Sequence, residues 1–276
     1  MTNLKFHKME GAGNDFVVLD NRQYRFSLDE IIEFTPKLCT RRFGVGADGL
    51  LVLEEPQRDD VDYTMIYRNA DGSDAGMCGN GARCLALFAA RNGFKHSHRF
   101  NVHDNMYQAE VTKMDDRVRI HFPVEVQPET IQLDGIELIK ADAATEHLVR
   151  FVDKESLEAE EQLVSTGRKL RYHEQVNPPG TNVNFVQYEE GETSINLQTY
   201  ERGVENLTLA CGTGALASAI ATHFQSKTNS ESASYEVSVK GGTLEVSFDF
   251  NEDTNTYHHL ILTGPSHFVF EGSIFV

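Results

Sequence analysis

The sequence predicts an α+β protein made of two similar, strand-rich halves, each built around a buried central helix. Three observations carry this. Apolar residues alternate with a period of two through much of the chain, the pattern of half-buried strands. Residues 79–92 and 212–225 are Ala-rich and apolar nearly all round, and a helix without a polar face is a buried one. Both segments open with the same letters, Cys78-Gly79-Asn80-Gly81-Ala82 and Cys211-Gly212-Thr213-Gly214-Ala215, and each cysteine follows a strand tyrosine, Tyr67 or Tyr200, at the same spacing. A strand, a connection and a Cys-Gly-x-Gly-Ala helix that occur twice are most simply a duplication.

In chain order, short strands are expected at 16–20, 50–54, 63–69, 107–113 and 118–122, then at 147–152, 184–188 and 259–262. Ser27-Leu28-Asp29-Glu30 reads as a capping box that opens a helix, with Pro36 expected to kink or break it. Residues 157–170 form an amphipathic helix weakened by Gly167. Tyr235, Val237 and Val239, then Gly241-Gly242, then Leu244, Val246, Phe248 and Phe250 predict a hairpin turning at the glycine pair.

The net charge of −17 and the absence of any Lys/Arg run longer than Arg41-Arg42 argue against nucleic acid, whose binding needs a cationic face, and against an anionic membrane. An anionic substrate must be gripped by a local site against the global field. The apolar runs are far too short to span a bilayer. The first sixteen residues lack the apolar core of a signal peptide. Four cysteines in 276 residues do not make a disulfide scaffold, so a cytoplasmic protein with reduced thiols is expected.

Some local signals are set aside. Gly44-Val45-Gly46-Ala47-Asp48-Gly49 spells a dinucleotide fingerprint, but it lacks the preceding strand and following helix that such a loop needs. His96/His98 and His258/His259 have no neighbouring ligands in sequence and are expected at solvated positions, so no metal is expected. Asn206-Leu207-Thr208 is a sequon without meaning outside secretion.

The chemistry points to the two repeated cysteines. A cysteine at the first turn of a helix lies at the positive end of the macrodipole, beside N–H groups with no helical partner, and both favour thiolate. The flanking glycines let a ligand approach the backbone, whose N–H groups suit a carboxylate. A thiolate on one face of a carbon and a thiol on the other can remove a proton and return one with inversion. That is racemisation or epimerisation without a cofactor. Cys39 and Cys84 lack this context and read as packing residues.

The same segments resemble the motifs of the diaminopimelate epimerase family. Residues 69–73 through Met77-Cys78-Gly79-Asn80-Gly81-Ala82-Arg83-Cys84 are similar to its first active-site motif. Tyr200-Glu201-Arg202-Gly203 leading to 210–215 is similar to its second. Segments 11–16, 46–49 and 181–185 resemble family segments in the same order. The resemblance covers essentially the whole chain. It implies epimerisation of LL- to meso-2,6-diaminoheptanedioate, in lysine and peptidoglycan precursor biosynthesis, without pyridoxal phosphate. It also implies two pseudo-symmetric α/β halves, each a curved sheet around its central helix, with the C-terminal strand returning to the first half. The halves are expected at 1–122 plus 267–276 and at 123–266. A homodimer is expected, with a small-molecule amino-acid substrate as its ligand.

Carried over onto this chain, the family roles make Cys78 and Cys211 the acid/base pair. Asn14, Asn69 and Asn182 would hold the non-reacting stereocentre, and Arg202 its distal carboxylate. Glu201 would accept from the reacting ammonium. The backbone at Gly79-Asn80 and Gly212-Thr213 would take the reacting carboxylate, with His147 in support. Two departures stand out. Thr145-Glu146-His147 replaces an Asn or small residue followed by Pro-His, and Leu207 stands where many members carry a glutamate. The competing readings are a racemase of another amino acid with the same two-cysteine chemistry and an inactive binding relative.

Overall fold

The computed structural model describes residues 2–112, 117–176, 178–227 and 230–276. The chain divides into two units, residues 1–121 with 263–276, and residues 122–262.

In the first unit, β1 (Asn3–Gly11) and β2 (Asn14–Asp20) form a hairpin. Helix α1 (Leu28–Cys39) leads to β3 (Gly49–Glu54), which pairs parallel with β2, and β4 (Tyr63–Asn69) pairs antiparallel with β3. Helix α2 (Gly79–Arg91) leads to β5 (Ser97–Val102), parallel to β4, and then to β6 (Asn105–Val111) and β7 (Arg117–Phe122) in antiparallel steps. The expected strand at 107–113 is met by β6, with Lys113 outside the described residues.

The second unit repeats this pairing scheme. Strands β8 (Glu129–Leu133), β9 (Ile136–Lys140) and β10 (His147–Phe151) follow one another antiparallel. Helices α3 (Lys154–Glu158) and α4 (Glu160–Arg171) lead to β11 (Asn182–Tyr188), parallel to β10, and β12 (Ser194–Glu201) pairs antiparallel with β11. A short β13 (Asn206–Thr208) folds back on β12, and α5 (Gly212–Gln225) leads to β14 (Ser232–Val239), parallel to β12. Strands β15 (Gly242–Asn251) and β16 (Thr256–Pro265) follow, and β15 pairs antiparallel with β14. The last strand, β17 (His267–Phe275), returns to pair antiparallel with β1.

Each sheet curves around its own central helix, as expected. α2 packs against β1, β2, β3, β4 and β6, and α5 against β10, β11, β12, β14 and β15. Contact with that many strands requires a sheet that wraps. The first sheet is covered on its other side by α1, whose Ile31, Phe34 and Leu38 meet Val17, Leu19, Leu50 and Val52. Strand β3 is therefore apolar at consecutive positions, 50–53, because both its faces are buried. In the second unit Leu163 and Leu170 of α4 cover Leu148, Val183, Phe185 and Tyr200 in the same way.

Several expectations are corrected. Helix α1 runs on through Pro36, and Thr40 caps it by donating to the Pro36 carbonyl. The single helix expected at 157–170 is two, separated at Ala159, whose ψ of 67° is not helical. Gly167 is a packing requirement: a Cβ there would lie 2.6 Å from the Tyr200 side chain. The β14–β15 hairpin turns at Lys240-Gly241, because Gly242 already pairs with Val239.

Candidate functional site

The two repeated segments have the same local geometry. Cys78 is the N-cap of α2 with φ −123° and ψ 117°, and Cys211 is the N-cap of α5 with φ −119° and ψ 114°. In each, the N–H three residues on, at Gly81 or Gly214, donates to the cysteine sulfur at 3.4 Å. The sulfur thus fills the place of a serine or aspartate cap oxygen, and each thiol meets the positive end of a buried helix.

The glycines at the third helical position serve packing. A Cβ on Gly81 would come within 2.9 Å of Leu51 Cδ2, and one on Gly214 within 2.5 Å of Asn184 Oδ1. Each helix start is therefore pressed onto its sheet, and the cysteine is fixed with it.

In the first unit the structure brings Asn14, Cys78 and Asn80 together. The Cys78 thiol donates to Asn14 Oδ1 at 3.7 Å, and Asn80 Nδ2 reaches the same oxygen at 3.4 Å. Asn14 Nδ2 donates in turn to Asp48 at 2.7 Å. Behind it lies a charge network that sequence reasoning missed. Arg41 grips Asp15 through two bonds of 3.0 and 2.6 Å and also reaches Asp48, while the buried Lys8 donates to Asp15 and to the Gly46 carbonyl. Burial alone would raise the Asp15 pKa, but the bonds from Arg41 and Lys8 outweigh it and hold it at about 2.

Arg83 was also missed. It is fully buried one turn into α2, donating to Asn80 Oδ1 at 2.8 Å and to the carbonyls of Gly79 and Pro265. It thereby orients the amide of Asn80. Asn69, at the end of β4, pairs with Gly49 next to Asp48, and its Nδ2 donates to Ser73 at 3.0 Å.

In the second unit Asn182, His147, Thr213 and Cys211 are joined. His147 is fully buried, and burial, helped by the Arg202 charge, lowers its pKa to about 3, so it is neutral. Asn184 Nδ2 donates to His147 Nδ1 at 3.0 Å, because Asn184 Oδ1 is already taken by the Thr199 hydroxyl. The proton therefore resides on Nε2, which meets Thr145 at 2.8 Å and Thr213 at 3.0 Å. Thr213 Oγ1 accepts from His147 and from Thr145, and its own proton is left for the Cys211 sulfur 3.7 Å away.

Asn182 Nδ2 donates to the Glu146 carbonyl at 3.1 Å, and its Oδ1 accepts from the Arg202 N–H at 2.9 Å. The Arg202 guanidinium donates to Glu146 at 2.7 Å and to the Gly180 carbonyl at 3.0 Å. Glu201 stands half-buried at the end of β12, opposite Asn206. Gly79 and Gly212 are the first helical residues after each cysteine.

The other thiols differ. Burial pushes both Cys39 and Cys84 up to about 12, so they stay protonated and inert, in keeping with a packing role. Among the histidines set aside, His98 is not solvated but buried against Tyr63: its Nδ1–H donates to the Lys95 carbonyl at 2.7 Å, so Nε2 accepts from the Tyr63 hydroxyl at 3.4 Å. His258 and His259 do have ligand company, from Asp249.

Comparison with known proteins decides the family. The family model described as diaminopimelate epimerase matches residues 6–119 and 139–269. The diaminopimelate epimerase of Flavobacterium psychrophilum is 38% identical over 274 residues, covering 98% of this chain and all of that protein. The chain belongs to the diaminopimelate epimerase family. The enzyme of that name from Aquifex aeolicus is 37% identical over 284 residues, covering 98% of each chain. Among solved structures, a phenazine biosynthesis protein of the PhzF family from Bacillus anthracis superposes with a TM-score of 0.77 over 100% of both chains at 10% identity. A probable proline racemase from Agrobacterium radiobacter gives 0.73 over 99% of this chain and 93% of that one, at 15% identity. These two share the fold, and the repeated sheet-and-helix unit of this family member is the same architecture.

Proposed function

We propose that the chain is an isomerase that interconverts LL- and meso-2,6-diaminoheptanedioate by proton transfer at the α-carbon, in amino-acid biosynthesis. The observation that carries the reading is the repeated cysteine cap, in a chain that belongs to the diaminopimelate epimerase family. One cysteine, as thiolate, takes the α-proton, and the thiol of the other delivers a proton to the opposite face. The carbanion between these steps is stabilised at the substrate carboxylate by first-turn N–H groups at Gly79-Asn80 and Gly212-Thr213. No electron sink such as pyridoxal phosphate takes part in this scheme.

The surrounding contacts support the assignment. A thiolate at Cys211 is met by the Thr213 hydroxyl, whose direction is set by the neutral Nε2–H of His147. At Cys78 the Asn14 amide, held by Asp48, accepts from the thiol form. Asn14, Asn69 and Asn182 would bind the second amino-acid centre, Glu201 the reacting ammonium, and Arg202 the distal carboxylate, a planar grip suited to guanidinium. The family resemblance also supports a cytoplasmic homodimer, for which size-exclusion with light scattering is the direct measurement.

One observation favours a second reading. Arg202 is engaged by Glu146, which suits an amino acid without a distal carboxylate unless Glu146 yields. Incubation with LL-diaminopimelate, and in parallel with proline and histidine, separates the two. Meso product from the first alone supports the proposal. Racemisation of a monocarboxylate amino acid with no meso product would replace it.

A further inference from the structure

Residues 258 and 259 follow one another in β16, and in a regular strand their side chains would point to opposite faces. They do not. His259 has a φ of 52°, in the left-handed region, and Tyr257 and Leu260 are both buried with two less buried residues between them. This is a bulge: one extra residue is accommodated on the outer side, so both imidazoles stand there together, with ring centroids 4.7 Å apart. Asp249 of the preceding strand, β15, comes to the same place, where its Oδ2 accepts from His259 Nδ1 at 2.8 Å. One ligand atom from each of Asp249, His258 and His259 lies within 4.8 Å of the others.

We propose that Asp249, His258 and His259 form a binding site for a borderline divalent transition ion of the Zn²⁺ class. Two imidazoles and one carboxylate are the donors of a three-ligand zinc site, and imidazole disfavours Mg²⁺ and Ca²⁺, which select oxygen. Tetrahedral Zn²⁺ holds its donors about 3.4 Å apart, so the wider separations must close and the 2.8 Å His259–Asp249 hydrogen bond must give way to the metal. The exposed side chains of His259 and Asp249, 76% and 45% accessible, are free to turn for this. Two of the three donors, Asp249 and His259, also line a depression of about 350 Å³ with Ser234, Ser247 and Ile261, so water or a small anion can reach the group. None of these residues belongs to the cysteine sites, and the inference does not depend on the reaction proposed above.

The test uses Co²⁺ and Zn²⁺ with the full-length protein. Titration with Co²⁺ is expected to give visible ligand-field bands without the near-ultraviolet thiolate-to-cobalt band that binding at a cysteine would produce. Zn²⁺ is expected to raise the melting temperature. His258→Gln, Asp249→Asn and His259→Asn, the last chosen because asparagine accepts a left-handed φ, should each lower the affinity about tenfold or more, with the metal-free melting temperature unchanged. Unaltered Co²⁺ spectra in all three variants, a thiolate band as the sole signal, or no binding at millimolar metal would overturn the site.

Discussion

The Arg202 guanidinium donates to the Glu146 carboxylate at 2.7 Å. The residue expected to receive the substrate's distal carboxylate thus already holds one from its own chain. Both side chains are part-exposed, 28% and 42%, so the pair is a weak one, and a bidentate substrate carboxylate can displace it. Glu146→Gln should therefore lower KM for diaminopimelate several-fold with little change in kcat. A higher KM would mean that Glu146 positions Arg202 rather than competing for it.

Arg202→Lys should raise KM for diaminopimelate about tenfold or more, because a point charge does not replace a planar fork. Unchanged steady-state kinetics would assign Arg202 to the Glu146 pair alone, and would favour a monocarboxylate substrate.

Cys78→Ala and Cys211→Ala should each abolish epimerisation, since each removes one of two proton carriers, while the chain stays folded at a cost of about 1 kcal/mol for the lost helix cap. Cys84→Ala should keep turnover and cost on the order of 1 kcal/mol of stability through lost packing. Near-wild-type turnover in either of the first two variants would refute the acid/base assignment.

Gly214→Ala should destabilise the protein by about 1–3 kcal/mol, because its Cβ would lie 2.5 Å from Asn184 Oδ1. Asn184 also orients His147, so kcat should fall along with stability. Urea denaturation with parallel kinetics checks both. A stable, fully active variant would show that the helix start has room to shift.

Acid should destabilise the fold in two steps. His147 stays neutral in the folded chain down to about pH 3, whereas an unfolded imidazole takes up its proton near 6.5. Protons therefore favour the unfolded chain, and this contribution is full above pH 6.5 and lost as pH falls toward 3. Asp15 remains ionised down to about 2, against 3.8 when unfolded, so its contribution is full above 3.8 and lost toward 2. Denaturant midpoints should fall between pH 6.5 and the carboxylate range, and His147→Gln should flatten that part of the curve.

Much of this was legible in the sequence, for identifiable reasons. The cysteine caps could be read because Gly-x-Gly-Ala recurs before two helices with no polar face. The strands at 16–20 and 63–69 follow a plain apolar pattern. β1 was not expected because its ladder with β17 shifts register between Lys8 and Met9, which breaks the alternation. β17 was not expected because it buries almost none of its side chains. Arg83, fully buried, contradicts its residue type, and only its carbonyl and amide partners explain it. The Glu146–Arg202 pair spans 56 positions, and the Asp249 group depends on a bulge; neither leaves a local mark in the sequence.

The central claim is that two thiols move a proton at one α-carbon, and the most direct measurement follows hydrogen isotope at that carbon in deuterated water. Starting from unlabelled LL-diaminopimelate, the meso product should carry one α-deuterium from the first turnovers, while the remaining LL substrate stays unlabelled. The base that takes the proton is not the one that returns it. Meso product that keeps its original α-hydrogen, or exchange into the substrate without any meso product, would contradict the account.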